Sequence, residues 1–319
     1  MQQEKGIRYF PIALFASVMG VSGLAMSLRL VENVYGFSQT SSNIVTSLAS
    51  LMFLVNIAIL FYRLLHHRDA VKKDFNHPVR MNFFAAISIS LLLLGTLYYE
   101  LNEAISLYTW MTGTALQFIL TLVILSALIW ERELQLGQFN PAWFIPIVGN
   151  IVVPLAGVYH APEWLNWMFF GIGVLFSIIY FTIFMNRIYF QPAPPVKLLP
   201  TFFILLAPPG IGFVSYVKLT GQVDVFAYIM FGIAFYLGLL FIYQIRRFMT
   251  IPFFISWWAF LFPSAAVTNA TIYLHEFTQS AFLAVIYHIQ VAGLIVLTLY
   301  LFARTIGLAV KGQLCLKEE

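Results

Sequence analysis

A chain of 319 residues that is 61% hydrophobic and only 9% charged has too few polar side chains to cover a water-facing surface, since a soluble domain carries about 25% charged residues. With a mean hydropathy of +0.87, most of it must face lipid or other helices. One cysteine, Cys315, leaves no internal disulfide and no thiolate metal site, and the absence of HExxH, Walker, GxSxG and GxGxxG patterns removes the common catalytic and nucleotide-binding classes.

In chain order, the uncharged runs predict ten membrane spans, at roughly 9–28, 40–62, 81–99, 104–130, 142–161, 164–186, 198–217, 225–245, 251–273 and 279–303. No Asp, Glu, Lys or Arg falls within them. The first run follows Lys5 and Arg8 as a signal peptide would, but it is too long for an h-region and no cleavage site follows, so it reads as a membrane helix. His66-His67, between Arg63 and Arg68, reads as part of a solvated basic loop.

Links after the odd spans are mostly short, as in Tyr99-Glu100-Leu101-Asn102-Glu103, and links after the even spans are often longer and basic. The spans therefore group as five hairpins in a single domain covering the whole chain, with a repeat of roughly 55–70 residues. Phe83-Phe84, Phe202-Phe203 and Phe253-Phe254 each follow the start of an odd span. Of the 17 Lys and Arg, only Arg29 and Lys218 lie on the side away from the N-terminus. The positive-inside rule then puts both termini in the cytoplasm. The net charge of +4 follows from this topology and needs no nucleic-acid partner.

The odd spans differ in kind. Pro146 and Pro154 interrupt the fifth, Pro208 and Pro209 the seventh, and Pro263 the ninth, while no even span has an internal proline. Interior proline removes a helical hydrogen bond and kinks the helix, which lipid allows only where protein or a water-filled cavity covers the break. Small and weakly polar residues collect on the same spans, among them Ser17, Gly20 and Gly23, Ser88, Asn150, and Ser264, Thr268 and Asn269. Taken singly, each fits close helix packing. As a set on alternate spans, they predict five proline-kinked inner helices around a central path, in a quasi-five-fold arrangement, with five outer helices toward lipid. Such a path would have no carboxylate ring and no fixed cation. Its hydroxyls, amides and backbone N–H groups donate to anions, which favours throughput over tight binding. His288, inside the tenth span, reads as a packed neutral histidine rather than a proton-coupling group.

Short motifs in this order resemble the tellurite-resistance/dicarboxylate transporter family, which includes bacterial TehA and the slow anion channels of plant guard cells. They are His77-Pro78-Val79-Arg80 before the third span, Leu206-Ala207-Pro208 in the seventh, and Trp258-Ala259-Phe260 followed by Phe262 in the ninth. The resemblance implies a homotrimer in the cell inner (plasma) membrane with one pore per protomer, blocked by a phenylalanine of the ninth span. Here that residue is Phe262, with Phe83 or Phe84 as a second gate residue. The first span lacks the proline of bacterial relatives at Phe15-Ala16-Ser17-Val18. Three functions compete. The first is a channel for small anions such as chloride or nitrate. The second is a proton-linked exporter of sulfite, tellurite or a C4-dicarboxylate such as malate, and the third an intramembrane enzyme. No cofactor is implied, and no nucleophile–base pair or metal cluster supports an enzyme.

Overall fold

The computed structural model describes residues 5–130 and 135–316, and these form helices and turns with no strand. The helices are α1 (Phe15–Tyr35), α2 (Thr40–His66), α3 (Arg68–Phe75), α4 (Ala85–Tyr98), α5 (Glu103–Trp130), α6 (Ile145–Val152), α7 (Pro154–His160), α8 (Glu163–Phe190), α9 (Ala207–Thr220), α10 (Val225–Tyr243), α11 (Ile245–Met249), α12 (Leu261–Thr278) and α13 (Ala281–Val310). Arg132 and Lys317, both counted on the basic side, lie outside the described residues.

Among the described residues, nine helical stretches are long and apolar enough to cross a membrane. The expected ninth span is not one of them. Its counterpart, from Ile255 through α12, carries Ser256, Ser264, Thr268, Asn269, Thr271, His275 and Glu276, which dilute its hydropathy. The nine stretches fall into two classes by burial. Those containing α1, α4, α6–α7 and α9 are 78–89% buried, and α2, α5, α8, α10 and α13 are 22–39% buried. The stretch containing α12 joins the first class, with Leu261, Phe262, Pro263 and every residue from Ala265 to Ile272 buried. Helices with lipid-facing sides need apolar residues all round, whereas a buried helix tolerates polar ones that find protein partners.

Each inner helix is preceded by a 3₁₀ segment: Ile12–Leu14 before α1, Arg80–Phe84 before α4, Pro141–Phe144 before α6, Val196–Leu206 before α9 and Ile255–Phe260 before α12. This explains where the prolines sit. Pro146, Pro208, Pro209 and Pro263 lie in the first turn of α6, α9 and α12, where a backbone N–H has no helical partner in any case. The carbonyl four residues before such a proline would be orphaned in a continuous α-helix. Here Ala142 and Ile204, four residues before Pro146 and Pro208, each give that carbonyl to the N–H three residues on, at Ile145 and Ala207, and Asn150 does the same toward Val153 before Pro154. The prolines thus mark the switch from 3₁₀ to α. Only Pro154 divides a predicted span into two helices, at Val153.

One face of the bundle gathers the starts of the inner segments and the ends of the outer helices. There Arg63, fully buried at the end of α2, donates to the Phe10 carbonyl at 2.9 Å and to Asp74 at 2.7 Å. Arg80 completes the cluster at 3.1 Å from Asp74. Arg187, buried at the end of α8, reaches the Gly137 carbonyl, and Arg304 on α13 stacks over Phe253 at 5.4 Å. In all three cases an arginine closing an outer helix holds the chain entering an inner segment. At the opposite face α1 and α9 run further than the hydropathy suggests. They enclose Arg29, which donates to the Leu97 carbonyl and to Asn43, and Lys218, which donates to the Leu155 carbonyl at 3.0 Å.

Inner helices meet at close range through glycine. A Cβ on Gly20 would lie 2.8 Å from Leu261, one on Gly23 2.8 Å from the Ala265 Cβ, and one on Gly210 3.1 Å from the backbone of α12. Close packing of backbones is what small residues supply in a membrane bundle. Gly23→Leu is therefore expected to wedge α1 from α12 and cost about 1–3 kcal/mol, read as a lowered Tm in detergent. Gly293→Leu, on a surface open to 4 Å, is expected to leave Tm unchanged.

Candidate functional site

Where the five 3₁₀-to-α switches come together, the structure leaves a cavity of about 30 Å³, room for one or two waters. All five inner segments contribute to its wall. Ala16 and Met19 come from α1, Phe83 and Ile89 from the third predicted span, Ile145 and Val148 from α6, Ile204 and Ala207 from the seventh, and Trp258, Ala259, Phe262 and Pro263 from the ninth. Every one of these residues is apolar apart from the Trp258 indole N–H, which is bonded to Thr305 at 3.0 Å. Phe262 is 4% exposed and Phe83 5%. The Phe262 ring lies beside Gly23: a Cβ there would sit 3.6 Å from the ring edge, in ordinary contact.

The structure separates the two phenylalanines that the sequence left as alternatives. Phe83 lines the cavity. Phe84 turns away and packs edge-on against Phe75 at 5.2 Å. Of the prolines, Pro263 is on the cavity wall, while Pro146, Pro154, Pro208 and Pro209 are not among the lining residues.

None of the five polar candidates lines the cavity. The Ser17 hydroxyl donates to the Leu14 carbonyl at 2.6 Å, and Thr268 donates to the Ser264 carbonyl at 2.9 Å. Ser88 donates to the Ala85 carbonyl at 2.8 Å and to Gln117 Oε1 at 2.7 Å. Asn150 donates to the Pro146 carbonyl at 2.9 Å and to Thr121 at 3.0 Å. Ser264 is half-buried. The bonds that Ser17, Ser88, Asn150 and Thr268 make go largely to the backbone of the inner segments. His288 sits on the outward side of α13, bonded to Tyr35 at 3.1 Å and to the Ala284 carbonyl, away from the cavity.

Around the break at Pro154, outer and neighbouring helices supply the donors that the divided helix needs. Gln117 donates to the Pro146 carbonyl at 2.6 Å, Ser215 to Ile151 at 2.6 Å, Trp110 to Val153 at 2.9 Å, Lys218 to Leu155 at 3.0 Å and Asn166 to Gly157 at 3.0 Å. Gln117 and Asn166 reach this far because Gly149 and Gly157 have no side chain; a Cβ on either would collide with the incoming amide at 2.2 Å and 2.0 Å. Sequence reasoning missed Gln117, Trp110 and Asn166. Their one signal was a buried-type polar or indole group inside an otherwise apolar outer span, aimed at the proline-bearing neighbour.

Residues 9–306 match the family of voltage-dependent anion channels, SLAC1. The chain belongs to this family. It is 28% identical over 286 residues to the S-type anion channel SLAH2 of Arabidopsis thaliana, covering 85% of this chain and 54% of the plant protein. The chain thus spans about half the length of that relative. It is 25% identical to the tellurite resistance protein TehA homolog of Haemophilus influenzae, over 96% of this chain and 93% of that protein. It is 24% identical to the uncharacterized transporter MJ0762 of Methanocaldococcus jannaschii, over 83% and 84%. The resemblance drawn from the short motifs is thereby established, and the chain is a multi-pass member of the SLAC1 family.

In this SLAC1-family chain the Gln117 bonds serve the wall and not the cavity. Gln117→Leu is expected to take the shortest of several donors from the Pro146 carbonyl and the side-chain acceptor from Ser88, and to cost about 1–3 kcal/mol, seen as a lower Tm. Gln117→Glu, which sets a buried carboxylate oxygen against the Pro146 carbonyl oxygen, is expected to lower Tm at least as much.

Proposed function

We propose that this protein is an anion channel held in a closed state, with Phe262 and Phe83 as the stopper. The observation that carries the reading is the small apolar cavity at which all five inner segments converge, with Phe262 and Phe83 in its wall. An apolar constriction of this size blocks ions by excluding water, with no need of a fixed charge. In this reading the stretch from Ile255 through α12 crosses the membrane as a tenth span despite its low hydropathy, because α1, α9, α10 and α13 surround it. The ten spans then form five hairpins around the path in quasi-five-fold order, as one domain, with the inner segments bent where 3₁₀ gives way to α.

Anions are the proposed cargo on two grounds. Two of the relatives named above are described as an anion channel and a tellurite resistance homolog. On the basic face Arg68, Lys72 and Lys73 are exposed, which raises the local anion concentration. We assign chloride- or nitrate-like anions, a plasma (inner) membrane location, both termini in the cytoplasm and a homotrimeric assembly. Ser17, Ser88, Asn150 and Thr268 keep the wall of the path in register through their backbone bonds, and Ser264 is placed beside Pro263 to meet the ion when the stopper moves.

The test is anion flux in liposomes. Phe262→Ala should raise chloride and nitrate efflux about tenfold or more over wild type, and Phe262→Leu should give a smaller rise. Gel filtration identifies any variant that has lost its fold. Flux equal to wild type in a well-folded Phe262→Ala protein would remove Phe262 from the gate. An imposed pH gradient that drives uphill sulfite or malate movement would replace the channel reading with the proton-linked exporter.

A further inference from the structure

The basic face carries a second concavity that the proposed conduction path does not use. It is an open groove of about 730 Å³ between the end of α2 and the amphipathic helix α3. Along α3, Arg68, Val71, Lys72 and Phe75 line it at helical spacing, and Phe84 forms part of its floor. Its lining carboxylate, Asp69, is paired with Arg8, and the neighbouring buried Asp74 with Arg63 and Arg80. Arg68, Lys72 and the adjoining Lys73 are exposed, and none of them has an acidic partner among the described residues.

At its other side the groove runs into Leu64, which continues along α2 to Leu65 and Phe61, all exposed, on one of the lipid-facing helices. Free cations therefore sit directly at the end of an apolar, acyl-chain-accessible surface. A free phosphate would find charge here, but only an apolar floor and no enclosing donors. An anionic phospholipid finds both of its halves matched, phosphate against Arg68, Lys72 and Lys73, and acyl chain against Leu64, Leu65 and Phe61.

We propose that this groove is a binding site for an anionic phospholipid. The assignment of that lipid to the cytoplasmic leaflet rests on the orientation proposed above; the site itself does not. The groove floor and the cavity wall are consecutive residues, Phe84 and Phe83, so the bound headgroup lies against the 3₁₀ turn Arg80–Phe84 that presents Phe83 to the constriction.

Native mass spectrometry of the detergent-purified protein, titrated with palmitoyl-oleoyl phosphatidylglycerol or phosphatidylcholine, tests this. Wild type should retain phosphatidylglycerol in clear preference to phosphatidylcholine. The triple variant R68Q/K72Q/K73Q should bind phosphatidylglycerol about 100-fold more weakly, the loss expected for three surface cations, and Lys311→Gln on the same face should bind as wild type does. A folded triple variant that holds phosphatidylglycerol as tightly as wild type overturns the proposal. So does displacement of the lipid by millimolar inorganic phosphate, which would make the groove a site for free anions. Both readouts are independent of whether the protein conducts.

Discussion

Backbone polar groups cannot be left unpaired in hydrocarbon, and the inner segments of this protein change from 3₁₀ to α in five places and divide outright at Pro154. The 3₁₀ turns that open each segment solve part of the problem locally, by passing a carbonyl to the residue three positions on. The rest is solved by side chains from other helices. Around Pro154 five carbonyls are met by Gln117, Ser215, Trp110, Lys218 and Asn166. This division of labour requires an outer layer: α5 and α8 supply Gln117, Trp110 and Asn166, and their remaining faces are apolar and exposed. Irregular backbone at depth, small residues at the crossings and an apolar outer ring are thus consequences of one constraint.

What the irregular backbone achieves is placement. A straight α-helix at each inner position would present a continuous ridge to its neighbours. A switch from 3₁₀ to α changes the angular step between side chains. The switch brings one or more apolar side chains from every segment to the same depth, where they close on a cavity too small for a hydrated ion. Glycines then set how near the segments come. Gly23 is the clearest case, because a Cβ there would lie 2.8 Å from the Ala265 Cβ, next to the Phe262 ring.

Much of this was legible in the sequence. Long uncharged runs give spans, and the restriction of proline to alternate runs foretold an inner and an outer class, which the burial of the helices reproduces. Family membership was readable from three short motifs. Other features were not. No local signal distinguishes a 3₁₀ opening from an α one, so Pro146, Pro208, Pro209 and Pro263 read as interior breaks when they are first-turn residues. Hydropathy reports exposure to lipid and says little about a helix enclosed by others, so the stretch holding α12 falls short of a span by that measure. Ser17, Ser88, Asn150 and Thr268 have the chemistry of ion contacts, but in the fold their bonds go largely to nearby carbonyls. Phe83 and Phe84 are indistinguishable as neighbours in sequence, and only the turn geometry sends one inward and the other toward Phe75.

If side-chain volume at a shared constriction is all that closes the path, it should not matter which segment supplies it. Ala207 and Ala259 line the same cavity from two different inner segments. The decisive measurement is chloride flux through liposomes bearing the double variants Phe262→Ala with Ala207→Phe, and Phe262→Ala with Ala259→Phe. The account predicts that either added ring returns flux to the wild-type level. Flux that stays at the level of Phe262→Ala in both well-folded double variants would contradict it.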